Sequence, residues 1–257
     1  MFELFFAEFK LSWIEFRRYP LESLGVVFIT TIFFYALFLS TRYIAGPSLQ
    51  FGDKLDAIIV GYVLWSLVSF VLNRIAFDLQ KEAQTGTLEQ LFLSSFGATT
   101  VVLVRSLANL ALQLIVTLGI LLIIIGLTGR SLNFPPALIL PLISVLMSAY
   151  GISLMVGALA LIFKRIQQIL AFFQFGLLFI LATPIDSFTG INLLLVKLLP
   201  MTTGAELLRD LMARGNNLDM AKLTFAFGCG AFYLGIGLFI FNLSEKAAKS
   251  RGIISGY

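Results

Sequence analysis

The chain has no histidine, one cysteine and only 12% charged residues across 257 positions. Without histidine there is no Ser-His or Cys-His nucleophile pair, and no Cys/His set to hold a transition metal. Cys229 has no partner for an intrachain disulfide and reads as a small residue filling space in an apolar run. No G-x-x-x-x-G-K-[ST] phosphate loop occurs, so the chain holds no nucleotide-hydrolysing site of that kind. No H-x-x-x-x-D pattern is present either, which argues against a polytopic lipid-modifying enzyme. The scarcity of charge excludes an ordinary soluble domain, in which about 25% of residues are charged.

Apolar side chains fill the space these absences leave. The chain is 59% hydrophobic with 26 Phe, and its mean hydropathy of +0.96 marks an integral membrane protein. A helix needs roughly 20 apolar residues to cross a hydrocarbon core about 30 Å thick. Six runs qualify: Ser23 to Ala45, Asp56 to Arg74, Thr99 to Leu127, Pro135 to Phe163, Ile169 to Ala182 and Met220 to Phe241. The fifth is short, and Pro184 and Asp186 break it from the apolar stretch Ile191 to Leu199, which reads as a re-entrant or interfacial excursion. With the N-terminus inside, eleven Lys and Arg fall on the inner side against seven outside, an orientation that follows the positive-inside rule and puts both termini in the cytoplasm. Anionic lipid of the inner leaflet accounts for the net charge of +4, so no nucleic-acid partner is needed. Glu3, Glu8 and Glu15 interrupt the region where a cleavable signal would be apolar, so the first span is expected to be retained.

Residues 1–20 have an amphipathic pattern. At 100° per residue, Phe2, Phe5, Phe6, Phe9, Trp13 and Phe16 fall in one arc, flanked by Glu3, Lys10 and Arg17 on one side and Glu8 and Glu15 on the other. The pattern suits a helix lying in the cytoplasmic interface, and it suits equally a helix packed on the protein's own spans.

No Asp, Glu, Lys or Arg lies near the middle of any run, which argues against an ion-driven carrier or channel, since such proteins hold the coupling ion at membrane depth. Asn109, Gln113 and Gln174 read as cross-helix hydrogen bonds. Ser144 with Ser148, Ser153 with Gly157, and Ala231 with Gly235 give small residues at four-residue spacing, expected to bring helices close within one chain or between two copies. Asp186, Glu206, Asp210 and Asp219, mixed with Arg209 and Arg214, read as a solvated outer surface.

The most informative stretch is DLQKEAQTGTLEQLFLSS, a polar interruption between the second and third runs. Thr87 and Gln90 fit a capping box that opens a short helix, with Glu89 in its first turn to complement the positive helix end. Leu88, Leu91 and Phe92 fall on one face of that helix. A face so short is not stable alone and is expected to insert into something, with Gly86 freeing the chain to turn. Arg74 and Asp78 stand at i, i+4 as the second run ends and are placed to brace it.

At these residues the sequence resembles the permease subunits of ATP-binding cassette transporters, in particular the type-2 permease family. The family's E-x-x-x-G-T-[LM]-E-x-L motif reads here as Glu82, Gly86, Thr87, Leu88, Glu89 and Leu91. A second match, Leu198 to Gly215, resembles the family's outer segment through Pro200, Thr202, Glu206, Leu208 and Arg209, with Leu199 in place of the usual Asn and Thr203 where Tyr is frequent. The resemblance covers essentially the whole chain and implies one all-α transmembrane domain, 1–257. Within it lie an interfacial helix (1–20), six spans, a cytoplasmic coupling loop (78–97), a broken fifth helix with an outer loop (184–219) and a cytoplasmic tail (243–257). It implies that the coupling helix, with Phe92 beside the motif, docks into a groove on a separate ATPase subunit that binds ATP and Mg. The permease itself carries no cofactor and assembles as a pair of chains in the inner membrane. Export of a lipid, hydrophobic drug or glycolipid-like cargo follows from the resemblance, with a haem-export-type permease as the alternative.

Overall fold

The computed structural model describes residues 2–45, 52–94, 96–129, 131–163, 167–182 and 190–250. Pro184, Asp186, Arg130, Lys164, Arg165 and the residues beyond Ser250 lie outside the described residues, as does the side chain of Glu89. The described chain is helical: α1 (Phe2–Arg18), α2 (Pro20–Ala45), α3 (Gly52–Thr85), α4 (Leu88–Phe92), α5 (Ala98–Thr128), α6 (Ile139–Ile162), α7 (Gln167–Ala182), α8 (Ile191–Leu198), α9 (Thr202–Met212) and α10 (Met220–Ser250). Pro136 to Leu138 form a 3₁₀ turn into α6.

Among the described residues, four helical segments are long and apolar enough to cross a membrane: Leu55–Thr85, Ala98–Thr128, Pro136–Leu161 and Met220–Ala248. Two shorter apolar stretches, Leu24–Ser40 and Leu170–Leu181, lie in α2 and α7. The helices outrun the apolar runs of the sequence. With 34 residues, α3 is about 51 Å long, well beyond a core of about 30 Å, so its charged end from Arg74 onward projects past the apolar zone. In the same way α10 runs unbroken through Ser250 and carries most of the expected tail as helix.

The bundle is built around α3, whose most apolar window is 72% buried, whereas that of α10 is 22% buried. Close backbone approach fixes the arrangement. A Cβ on Gly237 would lie 2.2 Å from the Gly151 carbonyl oxygen, one on Gly151 would lie 2.3 Å from that of Tyr233, and one on Gly230 would lie 2.9 Å from that of Ser144. These contacts advance together along both chains, so α6 and α10 are parallel. Ser153 donates a 2.8 Å hydrogen bond to the Val71 carbonyl, and a Cβ on Gly157 would press on Ile75, so α3 runs the same way. The serine and glycine pairs of α6 therefore pack within the chain. The Ala231/Gly235 pair does not, since both residues are exposed and Gly235 has open space beside it. Gly151, Gly230 and Gly237, which carry the closest contacts between α6 and α10, form no four-residue pair with one another.

Helix α1 settles along α5. Ser12 Oγ donates to Asn109 Oδ1 at 2.9 Å, and Leu4 packs on the core. Phe6 and Trp13 nevertheless face outward. The aromatic arc is thus divided between the protein and its surroundings.

Candidate functional site

Helix α3 ends in a Schellman motif. Gly86 takes φ 73°, the Thr87 amide donates to the Glu82 carbonyl at 3.0 Å and the Gly86 amide to that of Ala83 at 3.4 Å. A left-handed residue is what this closure requires, and glycine adopts it without the strain a Cβ adds. The short helix α4 follows at Leu88, where the sequence predicted it, and a second left-handed glycine, Gly97 at φ 78°, leads into α5. The element between the two helices is therefore bounded by two glycines in a conformation most residues avoid.

Its apolar face points inward. Leu88, Leu91 and Phe92 are buried in the chain's own core beside α3 and α5, which corrects the expectation that they fill a partner's groove. A five-residue helix has too few hydrogen bonds to hold itself, so its apolar side chains are stable only against the bundle that carries it. The outward surface is formed instead by Gln84, Thr85, Gly86, Gln90, Leu93 and Phe96. Leu93 is 83% exposed and Phe96 51%.

The Thr87 hydroxyl also differs from the capping-box expectation. It donates back to the Glu82 carboxylate rather than forward to the new helix, and Gln90 makes no reciprocal bond to Thr87 among the described residues. Glu82 in turn accepts 2.7 Å from Arg105 Nη1 on α5, and Arg105 Nε donates to Glu8 of α1 at 3.3 Å. Burial pushes the Glu82 carboxyl up, but the Thr87 hydrogen bond and the Arg105 pairing outweigh it and hold the group below its ordinary value. Arg105 thus ties the end of α3, the start of α4 and helix α1 to one point. Arg74 and Asp78 pair at 3.1 Å as predicted. At the far side of the element, Thr99 donates to Asn242 at 2.7 Å and to Glu245 at 3.0 Å, joining the start of α5 to the end of α10. Glu8 and Arg105 were missed from sequence because they are 97 positions apart. The one visible signal was that Glu8/Ser12 and Arg105/Asn109 repeat the same i, i+4 spacing on two helices.

The second motif lies at the opposite end of the bundle. Pro200 sits in a turn, and Met201 adopts φ 68°, the only non-glycine residue with positive φ among the described residues. Thr202 then donates to the carbonyls of Val196 and Leu199 at the end of α8, each at 2.8 Å. Glu206 and Arg209 follow on α9, which is buried along its length. This overturns the reading of Glu206, Arg209 and Asp210 as a solvated surface. The Glu206 and Asp210 carboxylates are tolerated inside because they are paired: Lys222 Nζ lies 2.9 Å from Glu206 and 3.6 Å from Asp210, and Arg214 lies 2.8 Å from Asp210. Asp219 alone of these acids is exposed, and it caps α10 by accepting from the amides of Ala221 and Lys222.

Among the described residues no group of three or more His, Cys, Asp or Glu is placed to hold a metal ion. Residues 40–241 match a family model described as an ABC-2 family transporter protein. No curated protein matches the chain.

Proposed function

The chain belongs to the ABC-2 transporter family, a family of membrane permease subunits that work with an ABC ATPase, and from that premise we propose that it is the permease of an exporter driven by a separate ATPase. The observation that carries this reading is the element from Gly86 to Gly97. It is hinged by two left-handed glycines, latched to α5 through Glu82 and Arg105, and presents Leu93 and Phe96 outward. In this reading Glu82, Gly86, Thr87 and Glu89, with the exposed residues around them, form the surface that meets the ATPase. Leu88, Leu91 and Phe92 anchor that surface to the bundle, so a push on it moves α3 and α5. ATP and Mg bind the partner, and this chain carries no nucleotide site.

A six-span topology is supported by the direction of the helices. If α6 and α10 both cross the membrane in parallel, the chain must cross an odd number of times between them, and α7 is the apolar segment available to do so. At 16 residues it is about 24 Å long, short of a full core, and the α8–α9 excursion completes the outer half of its path. The open Ala231/Gly235 face of α10 suits close approach by a second copy. Both termini then lie in the cytoplasm and the chain sits in the inner membrane. The cargo is an amphiphile such as a lipid, hydrophobic drug or glycolipid. Purification of the tagged chain from native membranes in mild detergent tests the assembly: two permeases with two ATPases are expected, and a chain that transports as a monomer without ATP contradicts it.

A further inference from the structure

Between α1, α3 and α5 lies a cavity of about 950 Å³, at the upper end of what small-molecule sites occupy. The function proposed above assigns it no role. Its two long walls change character in the same direction. On α3 the lining side chains pass from Phe70 through Arg74 and Phe77 to Lys81 and Thr85, a rise of about 22 Å. On α5 they pass from Val116 through Leu112 and Asn109 to Arg105. The end next to the coupling element is therefore charged and the deeper end is apolar. Helix α1 closes the charged end with Glu8 and Glu15 and contributes Leu11 and Phe16 to the apolar lining.

We infer that this cavity binds one lipid-like amphiphile with a zwitterionic head, its head beside Lys81 and Glu15 and its chain along Phe70, Leu112 and Val116. The length and head-to-tail gradient of the walls match a single-tailed or splayed lipid rather than a compact polar solute. The charges select the head. The lining carries four carboxylates, Glu8, Glu15, Asp78 and Glu82, and three bases, Arg74, Lys81 and Arg105. Arg105 is paired with Glu8 and Glu82, and Arg74 with Asp78. Lys81 and Glu15 form no ion pair among the described residues, and both are exposed at the rim. They offer one cation and one anion to a head that carries both signs. A purely anionic head would meet the unpaired Glu15, and a purely cationic head would meet the unpaired Lys81. The inference rests on the permease reading only for its role as a loading site for cargo; binding itself does not depend on an ATPase.

The test is native mass spectrometry of the purified, delipidated chain titrated with phosphatidylethanolamine and, separately, with phosphatidylglycerol. One phosphatidylethanolamine per chain is expected, bound at least tenfold more tightly than phosphatidylglycerol. Lys81→Glu, at an exposed position, should weaken phosphatidylethanolamine at least tenfold. Gln113→Trp, which fills the cavity, should abolish the specific copy, and its thermal melt checks that the bundle persists. Equal binding of both lipids, or retention unchanged in Lys81→Glu, overturns the site. Because the measurement uses the chain alone, lost lipid binding with intact ATPase association refutes this inference and leaves the permease reading standing. The reverse result refutes the permease reading and leaves the site.

Discussion

Arg105 Nη1 lies 2.7 Å from Glu82 Oε1, so the first helix after the 86–97 element grips the last turn of the helix before it. The two side chains keep 25% and 21% of their surface exposed, so the pair itself contributes about 1 kcal/mol to stability. Its mechanical role is larger. Arg105→Ala is expected to leave the chain folded, with a small loss of thermal stability, yet to depress ATP-driven transport several-fold. A double-mutant cycle with Glu82→Ala should return an interaction energy of about 0.5 to 1 kcal/mol. Strict additivity in the cycle together with normal transport would show that the two residues do not act as a unit.

The glycine contacts between α6 and α10 allow almost no substitution. A Cβ at Gly151 would meet the Tyr233 backbone at 2.3 Å and one at Gly237 would meet the Gly151 backbone at 2.2 Å, whereas Gly235 has open space. Gly151→Ala and Gly237→Ala should each cost about 3 kcal/mol or more, since backbone cannot yield as a flexible side chain does. Gly235→Ala should be tolerated in the single chain. Thermal melts of the three purified variants decide the matter, and three equal melts would contradict the close approach of these helices.

At the end of the bundle that carries α9, the Glu206 side chain is 6% exposed and depends on Lys222, which is 34% exposed. Lys222→Met leaves that carboxylate without its nearest amine and should cost about 2 kcal/mol, less than a fully buried pair because one partner is partly solvated. Adding Glu206→Gln should recover part of the loss. No recovery in the double variant would mean that Lys222 acts through Asp210 rather than Glu206.

The two motifs lie at opposite ends of the bundle, and Gln84 and Asn216 are exposed there. A cysteine at Gln84 should be labelled only from the cytoplasm, and one at Asn216 only from outside. Cys229 should first be replaced by alanine. Labelling from the reversed sides would reject the orientation and the coupling assignment together.

Composition and spacing made much of this fold legible. Long apolar runs located the long helices because the bilayer length is a hard constraint, and T-G-T-L placed the start of α4 to the residue. The failures share a cause. Leu88, Leu91 and Phe92 formed an apolar face, but periodicity shows only that a face is apolar and not which surface covers it. Glu206, Arg209 and Asp210 looked solvated because charge usually is. Their partners, above all Lys222 on another helix, become visible only in three dimensions. Gly151 and Gly237 were passed over since the small-residue rule counts spacing along one helix, while the contact depends on the register between two.

The central claim is that the ATPase engages the outward surface of the 86–97 element while its inward face holds that element to the bundle. Leu91→Ala with Phe92→Ala should destabilise the chain itself, since truncating buried Leu or Phe costs about 2 to 5 kcal/mol each. The decisive variant is Leu93→Glu with Phe96→Glu, which alters only exposed side chains. The measurement is the amount of ATPase recovered with the tagged permease in mild detergent, set against the permease's own thermal melt. The account predicts an unchanged melt and an ATPase yield reduced at least tenfold. An unchanged melt with undiminished ATPase recovery would contradict it.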